Sequence, residues 1–326
     1  MKKIYLVTGA SGHLGSTIIS ILLSEGKSVR ALVLPGEEKY VPEGVEIFTG
    51  DVTDKGSMEP FFEHGDDEEL ILMHCARIVT IASKEDPLVN RVNVDGTHNV
   101  LELAKENKVR KVVHVSSVHA LIEAEEGETK EAEELFPDMI EDQYGKSKAR
   151  ATIDALKFAQ EGLDVSIVHP SGIFGPGDKR KNNHMIRAIE LMAKGLIPVS
   201  LSGGFDFVDV RDAAEGILKC AERGKKGECY ILSGHYISVK ELLEGVNEIR
   251  GKRTPDITVP YGLVAFFAPA MEKLGTMFGN GKPLVTPYSI AILNTNGHFS
   301  HEKATTELGY TVRDVSTTLK DMIAEL

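Results

Sequence analysis

Tyr144 and Lys148 stand four residues apart in Tyr144-Gly145-Lys146-Ser147-Lys148. On a helix, residues i and i+4 share one face, so a phenol and an ammonium at this spacing reach the same point. The ammonium favours the phenolate by Coulomb attraction, which suits the phenol for proton exchange near neutral pH. Upstream, Ser116-Ser117 follow the apolar run Lys111 to Val115. A hydroxyl at such a strand end can hydrogen-bond an oxygen on which negative charge develops. Further upstream, Thr8-Gly9-Ala10-Ser11-Gly12-His13-Leu14-Gly15 follows the first apolar run and opens a helical pattern. Gly9 allows a tight turn, Gly12 lets backbone approach a diphosphate, and Gly15 permits close packing of helix on strand. The diphosphate then lies at the positive end of the helix. Gly9, Ser11, Gly12, His13, Leu14 and Gly15 are therefore candidate ligands of a dinucleotide. The order of glycine loop, strand-end serine and Tyr-x-x-x-Lys is more specific than any part. It points to proton exchange beside a bound dinucleotide.

These residues need a frame. Ile4 to Val7 is a short apolar run, and His13 to Ser24 carries Leu14, Ile18, Ile21 and Leu22 on one helical face. Val29 to Leu34, Val45 to Phe48, Leu70 to Cys75, Lys111 to Val115 and Val165 to Val168 read as further strands. Asn90 to Asn107 and Asp142 to Gln160 read as helices. Continuous apolar strands alternating with helices predict an α/β fold, a doubly wound parallel sheet of Rossmann type. After Pro170 the rhythm changes. Gly172, Gly175, Pro176 and Gly177 mark a loop, and helices follow at Asn183 to Lys194 and at Asp212 to Arg223, with Asp212 as the N-cap. Glu228 to Leu232 reads as a last strand of the main sheet. The expected division is a dinucleotide-binding domain over 1–170, rejoined by about 205–235, and a smaller, mostly helical substrate domain over 171–326.

Composition excludes several classes. The 326 residues carry 37 Lys+Arg against 49 Asp+Glu, a net charge of −12, which speaks against a nucleic-acid partner. Cys75, Cys220 and Cys229 have neither CxxC spacing nor the density of a disulfide framework, so a reducing, cytoplasmic setting and no metal are expected. Met1-Lys2-Lys3-Ile4 does not read as a signal peptide, and the apolar stretch Leu263 to Met271 is too short to span a bilayer, so no membrane partner is expected. The acidic clusters Glu63 to Glu69 and Glu123 to Glu134 read as solvated loops, the second bordering a substrate mouth.

The GxxGxxG spacing, with the motifs above, resembles the extended short-chain dehydrogenase/reductases, the NAD-dependent epimerase/dehydratase family, across essentially the whole chain. Within it the sequence is similar to the dihydroflavonol 4-reductase-like and 3-beta-hydroxysteroid dehydrogenase-like branch. The resemblance implies Ser117, Tyr144 and Lys148 as the catalytic set, with Ser116, Tyr144 and Lys148 also facing the cofactor. It implies that Asp51 bonds the adenine and Val52 covers it, and that Cys75 and Ala76 border a ribose in a His-x-Ala-Ala-like turn. Arg77 stands where that turn usually has its second alanine. Asn93 ties strand ends together beside the cofactor, and Pro170, Ser171 and Ile173 lie beside the nicotinamide, with His74 and His169 structural. No carboxylate ends the second strand, and Arg30 matches an arginine that meets a 2′-phosphate, so NADP(H) is expected over NAD(H).

The implied activity is hydride transfer between nicotinamide and a carbonyl or alcohol of a small organic substrate. A nucleotide-sugar epimerase or dehydratase with tightly bound NAD is the alternative, but Phe205 stands where those proteins hold a diphosphate with arginine. Phe205, Phe266, Phe267 and Met271 are expected to line an apolar pocket. A cofactor-sensing protein without activity is a third reading, less apt because the Tyr–Lys pair is intact. The resemblance also allows a homodimer paired through the helices at 90–107 and 142–160.

Overall fold

Six of the apolar runs become parallel neighbours in one sheet. In the computed structural model, which describes residues 1–181, 183–254, 257–278 and 285–326, they are β1 (Lys2–Thr8), β2 (Ser28–Val33), β3 (Glu46–Thr49), β4 (Glu68–His74), β5 (Lys111–Val115) and β6 (Val165–Pro170). The helices between them are α1 (His13–Ser24), α2 (Lys55–Phe62), α3 (Pro87–Asn90), α4 (Gly96–Glu106) and α5 (Gln143–Gln160). A π-helical turn over Arg91–Asp95 joins α3 to α4, so the single helix expected at 90–107 carries a bulge. Such bulges cluster at functional sites, and this one holds Asn93.

Beyond β6 follow β7 (Gly172–Phe174), α6 (His184–Lys194), β8 (Ser200–Leu201), β9 (Gly204–Asp209), α7 (Val210–Arg223), β10 (Cys229–Leu232) and β11 (His235–Ser238). The remainder is α8 (Val239–Ile249), β12 (Thr258–Val259), α9 (Tyr261–Phe278), α10 (Pro287–Ile292), α11 (Glu302–Leu308) and α12 (Val315–Ala324). The main sheet has seven strands in the order β10-β6-β5-β4-β1-β2-β3, every pair parallel. Strand order reverses between β1 and β4, the crevice where such sheets receive ligands. Helices α1 and α7 bury one face, with Leu14, Ile18, Ala213 and Ile217 fully packed. The opposite face is covered from α2, α4 and α5 by Phe61, Leu101 and Ala155.

The return of the chain to this sheet differs from expectation. Residues 204–209 join β7 and β11 in a separate three-stranded sheet, and the main sheet regains the chain only at β10. Helix α7 also starts earlier than expected. Asp209 is its N-cap, accepting from the Arg211 N–H at 2.8 Å, because β9 runs straight into the helix. Asp212 is thereby placed inside the first turn, where it accepts from Arg313 N–H and Nε at 2.7 Å.

The acidic segment at 123–134 is partly structural. Glu131 accepts from the Ile231 N–H at 2.8 Å, capping the outer edge of β10, and Glu123 accepts from the Gly297 N–H at 2.7 Å. The three thiols are unpaired, and burial pushes each up to about 12, so none is a ready nucleophile. Among the described residues no helix is long and apolar enough to cross a membrane.

Candidate active site

A cavity of about 1140 Å³ opens at the carboxyl ends of β1, β4 and β5 and continues between α6, α8, α9 and α10. That exceeds the roughly 300–1,000 Å³ of ordinary small-molecule pockets, which suits two ligands laid end to end. At one end lies the glycine loop. Gly9 has φ +63°, a conformation that favours glycine, and a Cβ there would lie 2.8 Å from the backbone of Cys75 and Ala76. A Cβ on Gly15 would fall 2.3 Å from the Gly9 carbonyl oxygen, so only glycine lets α1 close on the turn. No side chain caps the first turn of α1, which leaves its N–H groups to the cavity. This cradle fits a dinucleotide diphosphate. Ser11, Gly12, His13, Leu14, Asp51, Val52, Cys75 and Ala76 all line it.

Tyr144, the candidate proton-exchange group, stands further along. Asp142 caps α5 by accepting from the Gly145 N–H at 2.6 Å, which fixes Tyr144 in the first turn. A Cβ on Gly145 would lie 2.4 Å from the His119 carbonyl oxygen, so this glycine lets α5 press on the turn after β5. Tyr144, Ser116 and Ser117 thereby line one wall. Ser116 Oγ is engaged with Thr152 Oγ1 at 2.7 Å, whereas Ser117 Oγ accepts only a long bond, 3.3 Å, from the His119 N–H. Ser117 is thus the serine with hydroxyl capacity to spare. Pro170, Ser171 and Ile173 complete this wall.

Lys148 and Asn93 stand behind the lining. One turn past Tyr144, Lys148 is fully buried, and its Nζ donates to the Val115 carbonyl oxygen at 2.6 Å. Burial, and secondarily the charge of Arg77, pulls its ammonium down to about 7. Asn93 exchanges bonds with the Ile78 backbone at 2.8 and 3.0 Å and donates to Ser147 Oγ at 2.9 Å. Ser147 Oγ in turn donates to the Tyr144 carbonyl oxygen at 2.7 Å, so one amide locks the turn after β4 to α5.

Three buried histidines surround Lys148. His74 is held between Thr8 Oγ1 at 2.8 Å and Thr97 Oγ1 at 3.0 Å, and stacks on His114 at 5.6 Å between ring centroids. His169 Nδ1 donates to the Ser117 carbonyl oxygen at 2.9 Å, supporting the serine from behind. Burial, reinforced by the Lys148 charge, holds His74 down to about 3, His169 to about 4 and His114 well below the usual range. All three are neutral supports rather than acids or bases.

Arg30 is not brought to the cavity. It lies in mid-strand, opposite Leu6 on one side and Glu46 on the other, and bonds Glu46 Oε2 at 2.9 Å and the Glu63 carbonyl oxygen at 2.5 Å. What reaches the far end of the cavity instead is Glu37, just beyond the turn after β2, and Arg180, from the loop before α6. Arg180 grips Glu37 through both carboxylate oxygens at 2.7 and 2.9 Å and reaches Ser11 Oγ at 3.1 Å. Ser11 Oγ also donates to Glu37 at 2.5 Å.

The other half of the cavity is apolar. Met192, Leu201, Phe205, Phe207, Leu242, Val264 and Met271 are among its walls. Phe266 and Phe267 are not, being 78% and 51% exposed: the inner face of α9 is Val264, Ala268 and Met271, which turns the phenylalanines outward. Two polar groups missed by spacing alone stand beside Tyr144. The His119 ring stacks on Phe205 at 5.4 Å, and Tyr288 Oη lies 3.4 Å from His119 Nδ1. Burial, with the Asp142 charge, pushes the Tyr288 phenol far up, so it stays a neutral hydroxyl. No local pattern links residues 119 and 288; only the fold of α10 over the mouth does.

Residues 5–233 match the family described as the NAD dependent epimerase/dehydratase family. The chain is 30% identical over 322 residues to sterol demethylase protein B of Methylococcus capsulatus, covering 98% of this chain and 97% of that protein. It is 27% identical over 329 residues to the 3 beta-hydroxysteroid dehydrogenase/Delta 5-->4-isomerase of Mycobacterium tuberculosis, covering 94% and 85%. The crystal structure of gox2253 superposes with a TM-score of 0.81 at 31% identity, covering 98% of this chain and 97% of that one.

Proposed function

Because the chain belongs to the NAD dependent epimerase/dehydratase family and is an oxidoreductase of the short-chain dehydrogenase/reductase type, we propose that it interconverts a carbonyl and an alcohol on a bulky, largely apolar substrate. One observation carries this reading. The walls contributed from residue 183 onward hold no lysine or arginine among the described residues, while Tyr144 and Ser117 face the same cavity. A sugar nucleotide would bring a second diphosphate into that half, and its charge would find no guanidinium there.

When bound along the glycine loop, a nicotinamide dinucleotide supplies the hydride donor or acceptor. The chain's own residues do the rest. In the reducing direction, Tyr144 Oη releases its proton to the carbonyl oxygen as the carbon becomes an alcohol centre. Ser117 Oγ donates a hydrogen bond to the same oxygen and stabilises the charge that develops on it. Lys148, one turn past Tyr144 and held by the Val115 carbonyl, supplies positive charge behind this wall of the site when ionised. The apolar walls exclude water from the reacting carbon.

Selection between cofactors falls to Glu37 in this reading. With Arg30 tied to Glu46, the ground for an NADP(H) preference is gone. Glu37 engages Arg180, the guanidinium at this end that would otherwise be free for a 2′-phosphate, and offers a carboxylate to a ribose 2′-hydroxyl, so NAD(H) is the preferred partner. The test is oxidation of NADH and NADPH against a panel of apolar ketones and aldehydes. Turnover is expected with NADH, and Glu37→Gln is expected to raise the NADPH:NADH ratio of kcat/KM by about 10-fold or more. Turnover of UDP-sugars with none of the carbonyl panel would overturn the reading.

A further inference from the structure

Arg77 occupies the turn that follows β4, directly after the Cys75–Ala76 pair on which Gly9 rests. Its side chain lines the cavity. The Nε atom is shielded from solvent and has no hydrogen-bond partner, and no carboxylate among the described residues pairs with the guanidinium. An unpaired cation in a partly desolvated wall is costly to a folded chain unless an anion is to meet it. The position is also rigid, because both backbone groups of the next residue, Ile78, are held by the side chain of Asn93 at 2.8 and 3.0 Å.

The neighbours of Arg77 say where that anion lies. Arg77 follows directly on the Cys75–Ala76 backbone against which Gly9 packs, and it lines the same cavity as Gly12 and His13 at the start of α1 and as Tyr144. The apolar half of the cavity begins beyond it, at Val79 and Ile81. The remaining guanidinium of the lining, Arg180, is spent on Glu37.

We propose that Arg77 is a binding residue for the diphosphate of the dinucleotide, its guanidinium bonding phosphoryl oxygens that the N–H groups of α1 hold from the other side. A guanidinium suits this task because its planar fork can bond two oxygens at once. This chain, with its net charge of −12, thus carries a local counter-charge at the one place where the ligand is doubly anionic. The assignment rests on the nicotinamide-dependent reading of the site but not on its chemistry, so it is tested by binding without turnover.

The experiment titrates ADP-ribose, NAD+ and adenosine calorimetrically into the parent protein, Arg77→Met and Arg77→Lys, with thermal melts of each ligand-free protein. ADP-ribose and NAD+ are expected to bind Arg77→Met about 10- to 100-fold more weakly, with Arg77→Lys between the two. Adenosine, which has no phosphate, is expected to be unaffected. Ligand-free Arg77→Met is expected to melt at or above the parent temperature, since the variant loses an unpaired charge; a residue needed for folding would do the reverse and overturn the assignment. An ADP-ribose affinity in Arg77→Met within 2-fold of the parent would also overturn it, most directly if KM for the carbonyl substrate rose instead, which would give the guanidinium to a substrate anion. A parent protein that bound no ADP-ribose would remove the dinucleotide site itself and this role with it.

Discussion

Tyr144→Phe is expected to lower kcat for the carbonyl panel by about 10²- to 10⁴-fold, the usual worth of a positioned general acid. The substitution deletes one oxygen and leaves the ring, which is buried against the cavity wall and packs edge-on to His119 at 6.0 Å between ring centroids. Nothing in the helix depends on the missing hydroxyl: the first turn of α5 is held by Asp142, and its carbonyl by Ser147. Dinucleotide affinity and melting temperature should therefore stay at the parent values while turnover falls. A loss confined to KM would reassign the hydroxyl to uniform substrate binding. Near-normal kcat would remove Tyr144 from the chemistry altogether.

Acid should unfold this protein steeply, and for an identifiable reason. His74, His114 and His169 are neutral in the folded state because burial disfavours their charged form. In the unfolded chain each takes up a proton as pH falls through about 6.5. Their folded values lie below the unfolded one, so the unfolded state binds more protons throughout the interval, and stability falls as pH drops. With all three groups the slope approaches about 4 kcal/mol per pH unit between pH of about 6 and 4. Against a total stability of roughly 5–15 kcal/mol, two such units remove about half of it or more. Urea titrations at stepped pH measure the slope. His114→Phe isolates one share of it, since neither ring nitrogen of His114 has a partner to lose. That variant should be as stable as the parent at pH 7 and lose stability about a third less steeply below pH 6; an unchanged slope would show that carboxylates set the acid limit.

The parts of the site that depend on local spacing were readable from the chain alone. Glycines three residues apart after a strand, a serine at a strand end and Tyr-x-x-x-Lys on a helix each dictate their own geometry, and the parallel sheet brings their ends to one crevice. What needed the structure depends on register and on distant return of the chain. The run Val29 to Leu34 is legible as a strand, but only its register against β3 shows that the Arg30 side chain goes to Glu46 and the Glu63 carbonyl and not to the cavity. Glu37 escapes a strand-end rule because Gly36, at φ +86°, turns the chain before it. Arg180 meets Ser11 across 169 residues of sequence. The aromatic pair Phe266–Phe267 is ambiguous for another reason: residues 261–271 of α9 are apolar on every side, so composition could not say which stripe faces inward.

The late arrival of β10 bears on how the molecule comes off a ribosome. Strand β6 is complete by Pro170, but the neighbour that pairs its outer side is not made until Leu232, some sixty residues later. During that interval β6 presents an open row of amides and carbonyls, a template for pairing with another nascent copy. A chain cut short after residue 170 would keep that side of β6 open, and a fragment that pairs both sides of β6 extends at least to Leu232.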